Sequence, residues 1–180
     1  MYPFVRLALE TRRGRRTTGA GFLDPYVSHH RCWPQDLDIF MEMNNGRILT
    51  LFDLGRFGIG ARVGLLDALK RNRWGLAVAG GSTRYRKRIK LGQRFRMVTR
   101  CPGWDDRWLY MEQSMWLGDT CAAHALLRTA VTGRDGIVPV PRLMEALGVD
   151  TPSPDLPGWV TDWIAADAGR VWPPVGGGSG

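Results

Sequence analysis

The 180 residues are 44% hydrophobic and 10% aromatic, which suffices for one core and excludes a disordered chain. The formal net charge of +8 is uneven, because residues 1–100 hold 20 basic and 7 acidic side chains (+13) and residues 101–180 hold 5 and 10 (−5). No apolar run reaches the ~18–20 residues of a membrane span, and three cysteines without C-x-x-C spacing argue against disulfides or zinc. We therefore expect a cytoplasmic protein without a metal.

Residues 1–24 are predicted to form a basic N-terminal arm. Its short apolar stretch precedes its basic cluster, whereas a secretory signal places the charge first. One interpretation is a solvated or surface-docked arm, and the other is a weak anchor on the inner membrane face. The anchor would combine four apolar side chains with four arginines: Phe4, Val5, Leu7 and Leu9 with Arg12, Arg13, Arg15 and Arg16.

The next elements in chain order are a strand and a long helix. Residues 28–33 favour a strand, and apolar spacing predicts a helix over residues 46–71. Each glycine inside that helix costs roughly 1 kcal/mol relative to alanine, so the helix needs tertiary support. We expect its bare face to pack against a sheet or to leave room for a ligand, with a possible break near Gly58–Gly60.

The pattern then changes to strands. Residues 77–89 and 93–100 read as two strands joined by a hairpin turn at Lys90-Leu91-Gly92. A second hairpin is predicted from two further strands, a short helix follows, and a proline-rich linker leads to a terminal helix. The corresponding ranges are 108–117, 121–132, 139–147, 151–158 and 159–164. One helix followed by antiparallel strands predicts an α+β hotdog fold, a curved antiparallel sheet wrapped around a long central helix.

We accordingly divide the chain into three parts. The basic arm covers residues 1–24, the folded domain residues 25–150, and a Pro/Trp-containing extension residues 151–180. The terminal GGGSG of residues 176–180 is interpreted as a linker remnant.

The segment WPQDLDIFMEMNNGR at residues 33–47 resembles the D-x-D-x-x-x-H-x-N-N signature of hotdog-fold thioesterases. Further matches are similar to the thioesterase superfamily member 6 group, and the resemblance covers roughly residues 25–147. These matches are DLGR at residues 53–56, RYR at 84–86, GWDDR at 103–107, Tyr110 and Glu112. Glu42 stands where the family usually has histidine.

The resemblance implies thioester hydrolysis. It makes Asp38 the catalytic carboxylate, supported by Glu42, Asn44 and Asn45, with the backbone N–H groups of Met43 and Asn44 as oxyanion donors. The start of a helix suits a developing oxyanion because its N–H groups are unpaired and its dipole is positive there. No metal or cofactor is implied apart from the coenzyme A portion of the substrate.

Each candidate residue also has a purely structural interpretation. Asp38 would cap a turn, and Glu42 would interact with the helix dipole. Asp53 is either an alternative catalytic carboxylate or the partner of Arg56, three residues later. His124 is interpreted as a satisfied core histidine.

A basic hairpin is the second predicted feature. Strand alternation places Arg84, Arg86, Arg88 and Lys90 on one face of the first strand, and Arg94, Arg96 and Arg100 on one face of the second. Guanidinium groups pair with phosphates, so this face is either a solvated surface or a site for the phosphates of coenzyme A.

The sequence therefore predicts an acyl-CoA or acyl-carrier-protein thioesterase, and the resemblance implies a homodimer or a dimer of dimers. The alternative is a non-catalytic acyl-CoA-binding or membrane-associated scaffold. Hydratase motifs do not occur, and nucleic-acid binding is disfavoured because the basic face lacks interleaved aromatic side chains.

Overall fold

A computed structural model describes residues 2–174, so the predicted linker remnant lies outside the described residues. The helices are α1 (Phe4–Arg16), α2 (Asn45–Arg62), α3 (Leu65–Asn72), α4 (Val140–Leu147) and α5 (Gly158–Ala168). The strands are β1 (Tyr26–Arg31), β2 (Gly75–Tyr85), β3 (Arg94–Trp104), β4 (Leu109–Leu117), β5 (Thr120–Gly133) and β6 (Gly136–Ile137).

The sheet has the order β1-β3-β4-β5-β2, all pairs are antiparallel, and β6 pairs with β5. Helix α2 packs against its inner face, and Leu51, Phe52 and Leu54 are fully buried there. The opposite, outer face carries polar side chains such as Glu112 and His124 together with apolar ones such as Tyr110 and Leu126. The predicted α+β hotdog fold is confirmed.

The predicted basic hairpin is wrong. Strands β2 and β3 do not pair, because β4 and β5 lie between them and β2 forms the far edge of the sheet. The turn at Lys90-Leu91-Gly92 does exist, with Gly92 at φ +75°, but it lies in the connection that crosses the end of the sheet. Strand pairing depends on the whole topology, and adjacent strands in sequence are usually but not always neighbours.

The glycines of α2 allow close packing and leave little room for a ligand. A Cβ atom on Gly55 would lie 2.2 Å from Thr99 Oγ1, and one on Gly58 would lie 2.3 Å from the Tyr26 ring. The expected ligand space along this face is therefore filled by the sheet, and the cavity near Gly60 amounts to about 30 Å³. The helix break falls at Gly64 (φ +76°), beyond the expected Gly58–Gly60.

Much of the N-terminal segment forms helix α1, which packs on α2. A Cβ on Gly14 would lie 2.1 Å from the carbonyl oxygen of Gly58, so the two helix backbones nearly touch. The buried Glu10 accepts a hydrogen bond of 2.9 Å from the Tyr26 hydroxyl. Of the four apolar side chains predicted as an anchor, Leu7 packs against the core and the others are exposed. Within residues 2–174, every helix is too short or too polar to cross a bilayer.

The C-terminal extension places α5 on the outer face of the sheet. Val160 is fully buried against Tyr110 and Leu126, and Arg128 forms an ion pair with Asp167 at 2.8 Å. The GWDDR turn, which contains Asp105, has a structural role. The carboxylate of Asp105 accepts hydrogen bonds from two backbone N–H groups and from the Tyr110 hydroxyl.

Candidate active site

The loop between β1 and α2 is fixed by Asp36, the first acidic residue of the signature. This carboxylate is 1% exposed and forms ion pairs with Arg6 of α1 at 2.9 Å and Arg47 of α2 at 3.3 Å. It also accepts the backbone N–H of Trp33 at 2.9 Å. No separate role was predicted for Asp36 from the sequence. Its position shortly before the helix could have indicated that Asp36 fixes the loop. Nothing in the sequence indicated Arg6 as its partner.

Asp38 lies two residues further on and is only partly buried. Its Oδ1 atom accepts the N–H of Phe40 at 2.8 Å and that of Glu42 at 3.4 Å, so the residue closes its own turn. Within residues 2–174, Oδ2 accepts no hydrogen bond. The capping interpretation is therefore correct for one oxygen, and the other is available to a ligand or water.

The predicted oxyanion donors are already occupied. The N–H of Met43 donates to the carbonyl of Ile89 at 2.8 Å, and that of Asn44 donates to the carbonyl of Asp36 at 2.9 Å. The cause is that these residues continue the loop's backbone pairing up to the helix start.

Asn44 is the N-cap of α2. Its Oδ1 accepts the N–H groups of Gly46 at 2.8 Å and Arg47 at 3.2 Å. The N–H of Asn45 is left without an acceptor among the described residues, and it is the donor at this helix start that a ligand can use.

Glu42 lines a cleft of about 230 Å³ at the start of α2. Its Oε2 lies 2.8 Å from Nε of Arg88, whose side chain is 75% exposed. The other lining side chains come from the helix start and the crossing connection: Met43, Asn45, Ile48, Tyr85, Arg86, Lys87, Arg88 and Ile89. The structure thus brings Glu42 and Asn45 together with Arg86 and Arg88.

The four predicted phosphate-binding residues do not share one face, because β2 ends at Tyr85 and strand alternation ends with it. Arg86 and Arg88 line the cleft beside Glu42. Arg84 lies on the outer face opposite His124, and Lys90 lies in the turn, bridged to Glu42 by backbone pairing. Only two of the four therefore meet the other candidate site residues in one cleft.

Asp53 faces a different environment. It forms an ion pair with Arg56, as the three-residue spacing indicated, and accepts a hydrogen bond of 3.3 Å from the Tyr2 hydroxyl. Arg56 also donates a hydrogen bond to the side-chain oxygen of the buried Gln113. The Gln113 amide nitrogen in turn donates a hydrogen bond of 2.7 Å to the carbonyl oxygen of Phe52. This network links α2 to the sheet. Gln113, a polar residue on an otherwise apolar strand face, was not predicted from the sequence.

His124 is satisfied but does not belong to the core. It lies on the outer face, where its Nε2 is 2.8 Å from Glu112 Oε1 and its ring contacts Trp159 at 5.5 Å between centroids. The hydrogen bond from His124, reinforced by Arg100, lowers the pKa of Glu112. The expectation of a core position was wrong because the apolar neighbours of His124 belong to both faces of β5.

Comparison with known proteins shows the family. The model of the thioesterase-like superfamily matches residues 32–164. The chain belongs to this superfamily. It is 37% identical over 87 residues to protein THEM6 of Danio rerio, covering 48% of this chain and 43% of that protein. It is 32% identical over 133 residues to protein THEM6 of Xenopus laevis, covering 73% of this chain and 63% of that protein.

Solved structures agree with the fold of this thioesterase-like protein. A 1,4-dihydroxy-2-naphthoyl-CoA thioesterase from Synechocystis superimposes with a TM-score of 0.60 at 11% identity, covering 72% of this chain and 100% of that one. The chain spans about 43% of the length of the Danio rerio relative. The predicted resemblance is confirmed, and so is the general class of thioesterase-like proteins.

Proposed function

We propose that this protein hydrolyses acyl-CoA thioesters to a free carboxylic acid and coenzyme A thiol. The observation that carries the proposal is the clustering at the start of α2. There Asn45, whose N–H has no acceptor among residues 2–174, lines a cleft together with Glu42, Arg86 and Arg88. Asp38, whose Oδ2 is open, is joined to Glu42 by a backbone hydrogen bond of 2.8 Å. Membership of the thioesterase-like superfamily supports the same chemistry.

Asp38 is proposed as the general base. Its Oδ2 accepts a proton from a water molecule, whose oxygen then bonds to the thioester carbonyl carbon. The C–S bond breaks as the tetrahedral intermediate collapses, and the protonated Asp38 returns the proton to the departing thiolate. Oδ1 remains bonded to the N–H of Phe40, which holds the carboxylate in place during both transfers.

The N–H of Asn45 is proposed to stabilise the oxyanion, taking the role first expected of Met43 and Asn44. It lies at the positive end of the 18-residue helix α2. Backbone donors at such a position cost no reorganisation when charge develops on the carbonyl oxygen.

Coenzyme A phosphates are proposed to bind Arg86 and Arg88. Both are exposed, and Arg88 lies against Glu42, which neutralises part of its charge in the absence of substrate. A CoA thioester is favoured over an acyl-carrier-protein thioester because the cleft is small and cationic. The Synechocystis protein of similar fold is named as a thioesterase for a CoA thioester, which supports the same choice.

A homodimer through β2 is proposed to complete the site. This edge strand has one paired side and is exposed along most of its length, including Val78 at 51%. An exposed edge with apolar side chains is a template for pairing with a second chain. Since the space between α2 and the sheet is filled, we place the acyl chain at the interface between protomers.

The test is a measurement of free-thiol release and of binding for CoA thioesters of increasing chain length. The proposal predicts saturable turnover with at least one chain length. Saturable binding without turnover at any length would contradict hydrolysis. It would favour the second candidate, a non-catalytic acyl-CoA-binding scaffold, which is supported by the glutamate at the family's histidine position.

A further inference from the structure

A second cationic groove lies between α1 and the β1–β3 edge of the sheet. Its volume is about 790 Å³, and its lining shares no residue with the cleft of Glu42 and Arg88. Five arginines line it against a single glutamate: Arg6, Arg13, Arg31, Arg94 and Arg96 against Glu10.

Two of the positive charges of this groove form an unfavourable cross-strand pair. Arg31 of β1 is the register partner of Arg94 of β3, and His29 is the partner of Arg96. Directly opposite side chains have Cβ atoms about 4.5–5.5 Å apart, and like charges in such positions are destabilising. An anion bound between the two guanidinium groups would offset this repulsion.

Acidic side chains neutralise only part of the positive charge of the groove. Arg6 is held by Asp36 and Arg13 by Glu10. Arg31, Arg94 and Arg96 form no ion pair with any carboxylate in residues 2–174. The guanidinium of Arg96 is held over the Trp116 ring at 5.4 Å from its centroid, which orders the group without neutralising it.

We propose that this groove binds phosphate groups through Arg31, Arg94 and Arg96. A guanidinium presents paired N–H donors that match phosphate oxygens. Arg31 and Arg94 are register partners on adjacent strands, so their side chains leave the same face side by side and can reach one phosphate. Arg96 lies two residues along β3 on the same face and can reach a second. The shared ligand chemistry is a phosphate-rich anion, which is either a soluble polyphosphate or the headgroups of an anionic membrane.

The exposed rim of the groove favours the headgroups of an anionic membrane as the source of the phosphates. Trp33 and Leu9 also line the groove and are 48% and 58% exposed. Tryptophan and leucine beside arginine suit a membrane–water interface, whereas a soluble polyphosphate needs only the arginines.

The experiment measures binding of full-length protein to sodium tripolyphosphate by calorimetry and to phosphatidylglycerol vesicles by flotation, with phosphatidylcholine vesicles as the neutral reference. The test variant is Arg31→Gln/Arg94→Gln, and the matched control is Arg71→Gln/Arg134→Gln, two exposed arginines on α3 and in the β5–β6 turn. We expect the test variant to lose at least about tenfold in affinity for whichever anion binds, and the control to bind as the native protein does.

A stability readout accompanies the binding measurement. Removing the like-charge pair should raise the melting temperature of the ligand-free protein by about 1–3 °C, so weaker binding would not reflect misfolding. Binding to tripolyphosphate alone assigns a soluble anion. Binding to phosphatidylglycerol vesicles that also weakens in Leu9→Ser assigns headgroups.

The inference is overturned if neither anion binds, or if the test variant binds as tightly as the control. It is also overturned if the test variant raises the KM for acyl-CoA without changing anion binding, because the arginines would then serve the substrate's own phosphates. None of these binding readouts requires thioester hydrolysis, so this inference and the proposed function can fail separately.

Discussion

At the residue scale, two carboxylates two positions apart have different environments. Asp36 is buried between Arg6 and Arg47, whereas Asp38 keeps one oxygen open. The D-x-D spacing predicted an acidic site before the helix, and that part of the interpretation needed only the sequence. Which carboxylate is structural depended on Arg6, which comes from a helix 30 residues earlier and is invisible to local patterns.

Glu42→Gln tests the role of the residue at the family's histidine position. Because Glu42 neutralises Arg88, its removal should free this guanidinium for substrate phosphate. We expect the KM for acyl-CoA to fall about two- to fivefold, with kcat within about threefold of native, as steady-state kinetics would measure. Glu145→Gln on the exposed side of α4 is the control. A kcat reduced tenfold or more would instead make Glu42 a catalytic residue.

His30 predicts a pH dependence of stability. Burial, together with Arg6 and Arg13, lowers the pKa of His30 from 6.5 to about 4. The unfolded chain therefore binds more protons between these pH values, and the free energy of unfolding should fall by about 2 kcal/mol from pH 7 to pH 5. Urea unfolding at both pH values measures this difference.

The matched variants are His30→Gln and His29→Gln, on adjacent residues of which His29 is exposed. His30→Gln should remove most of the pH dependence, and His29→Gln should keep it. An unchanged slope in His30→Gln would show that another group titrates in this window.

At the scale of elements, local patterns predicted the kinds of element but not all their partners. Turn residues predicted two boundaries. These are the turn at Gly118-Asp119 between β4 and β5 and the end of α4 at Gly148. The pairing of β2 with β5 could not be predicted from local patterns, because it depends on how the sheet closes around α2. The helix glycines were recognised as needing tertiary support, but their contacts with Tyr26 and Thr99 required the fold.

Gly58→Ala and Gly60→Ala test this close packing. The Cβ of Gly58→Ala would clash with the buried Tyr26 ring, whereas that of Gly60→Ala would meet Leu65 at an ordinary 3.5 Å. We expect Gly58→Ala to reduce the free energy of unfolding by about 2–3 kcal/mol and Gly60→Ala to raise it by up to about 1 kcal/mol. Equal effects of the two substitutions in chemical denaturation would contradict the contact with the sheet.

At the scale of the whole molecule, the two edges of the sheet differ. The β1 edge lies beside α1 and the arginine-lined groove, whereas the β2 edge is exposed and apolar. The excess of basic residues in the first half of the chain indicated phosphate partners, but the structure distributes these residues over separate surfaces. The sequence could not reveal this separation because it follows from the strand order.

Val78→Lys tests whether the β2 edge forms the proposed dimer. A lysine on an edge strand opposes pairing with a second chain, so the dimer dissociation constant should rise at least about tenfold in sedimentation velocity. Val27→Lys, at a 44% exposed valine on β1, is the matched control and should keep the native association. A native protein that sediments as a monomer would rule out this interface.

The central claim is that the carboxylate of Asp38 acts in thioester hydrolysis. It is tested most directly by kcat for thiol release from the best acyl-CoA substrate, compared between the native protein, Asp38→Asn and the exposed-residue control Asp106→Asn. Asparagine keeps the acceptor for the N–H of Phe40 but removes the base, so kcat should fall about 100-fold or more with an unchanged melting temperature. A folded Asp38→Asn protein that retains native kcat would contradict the account.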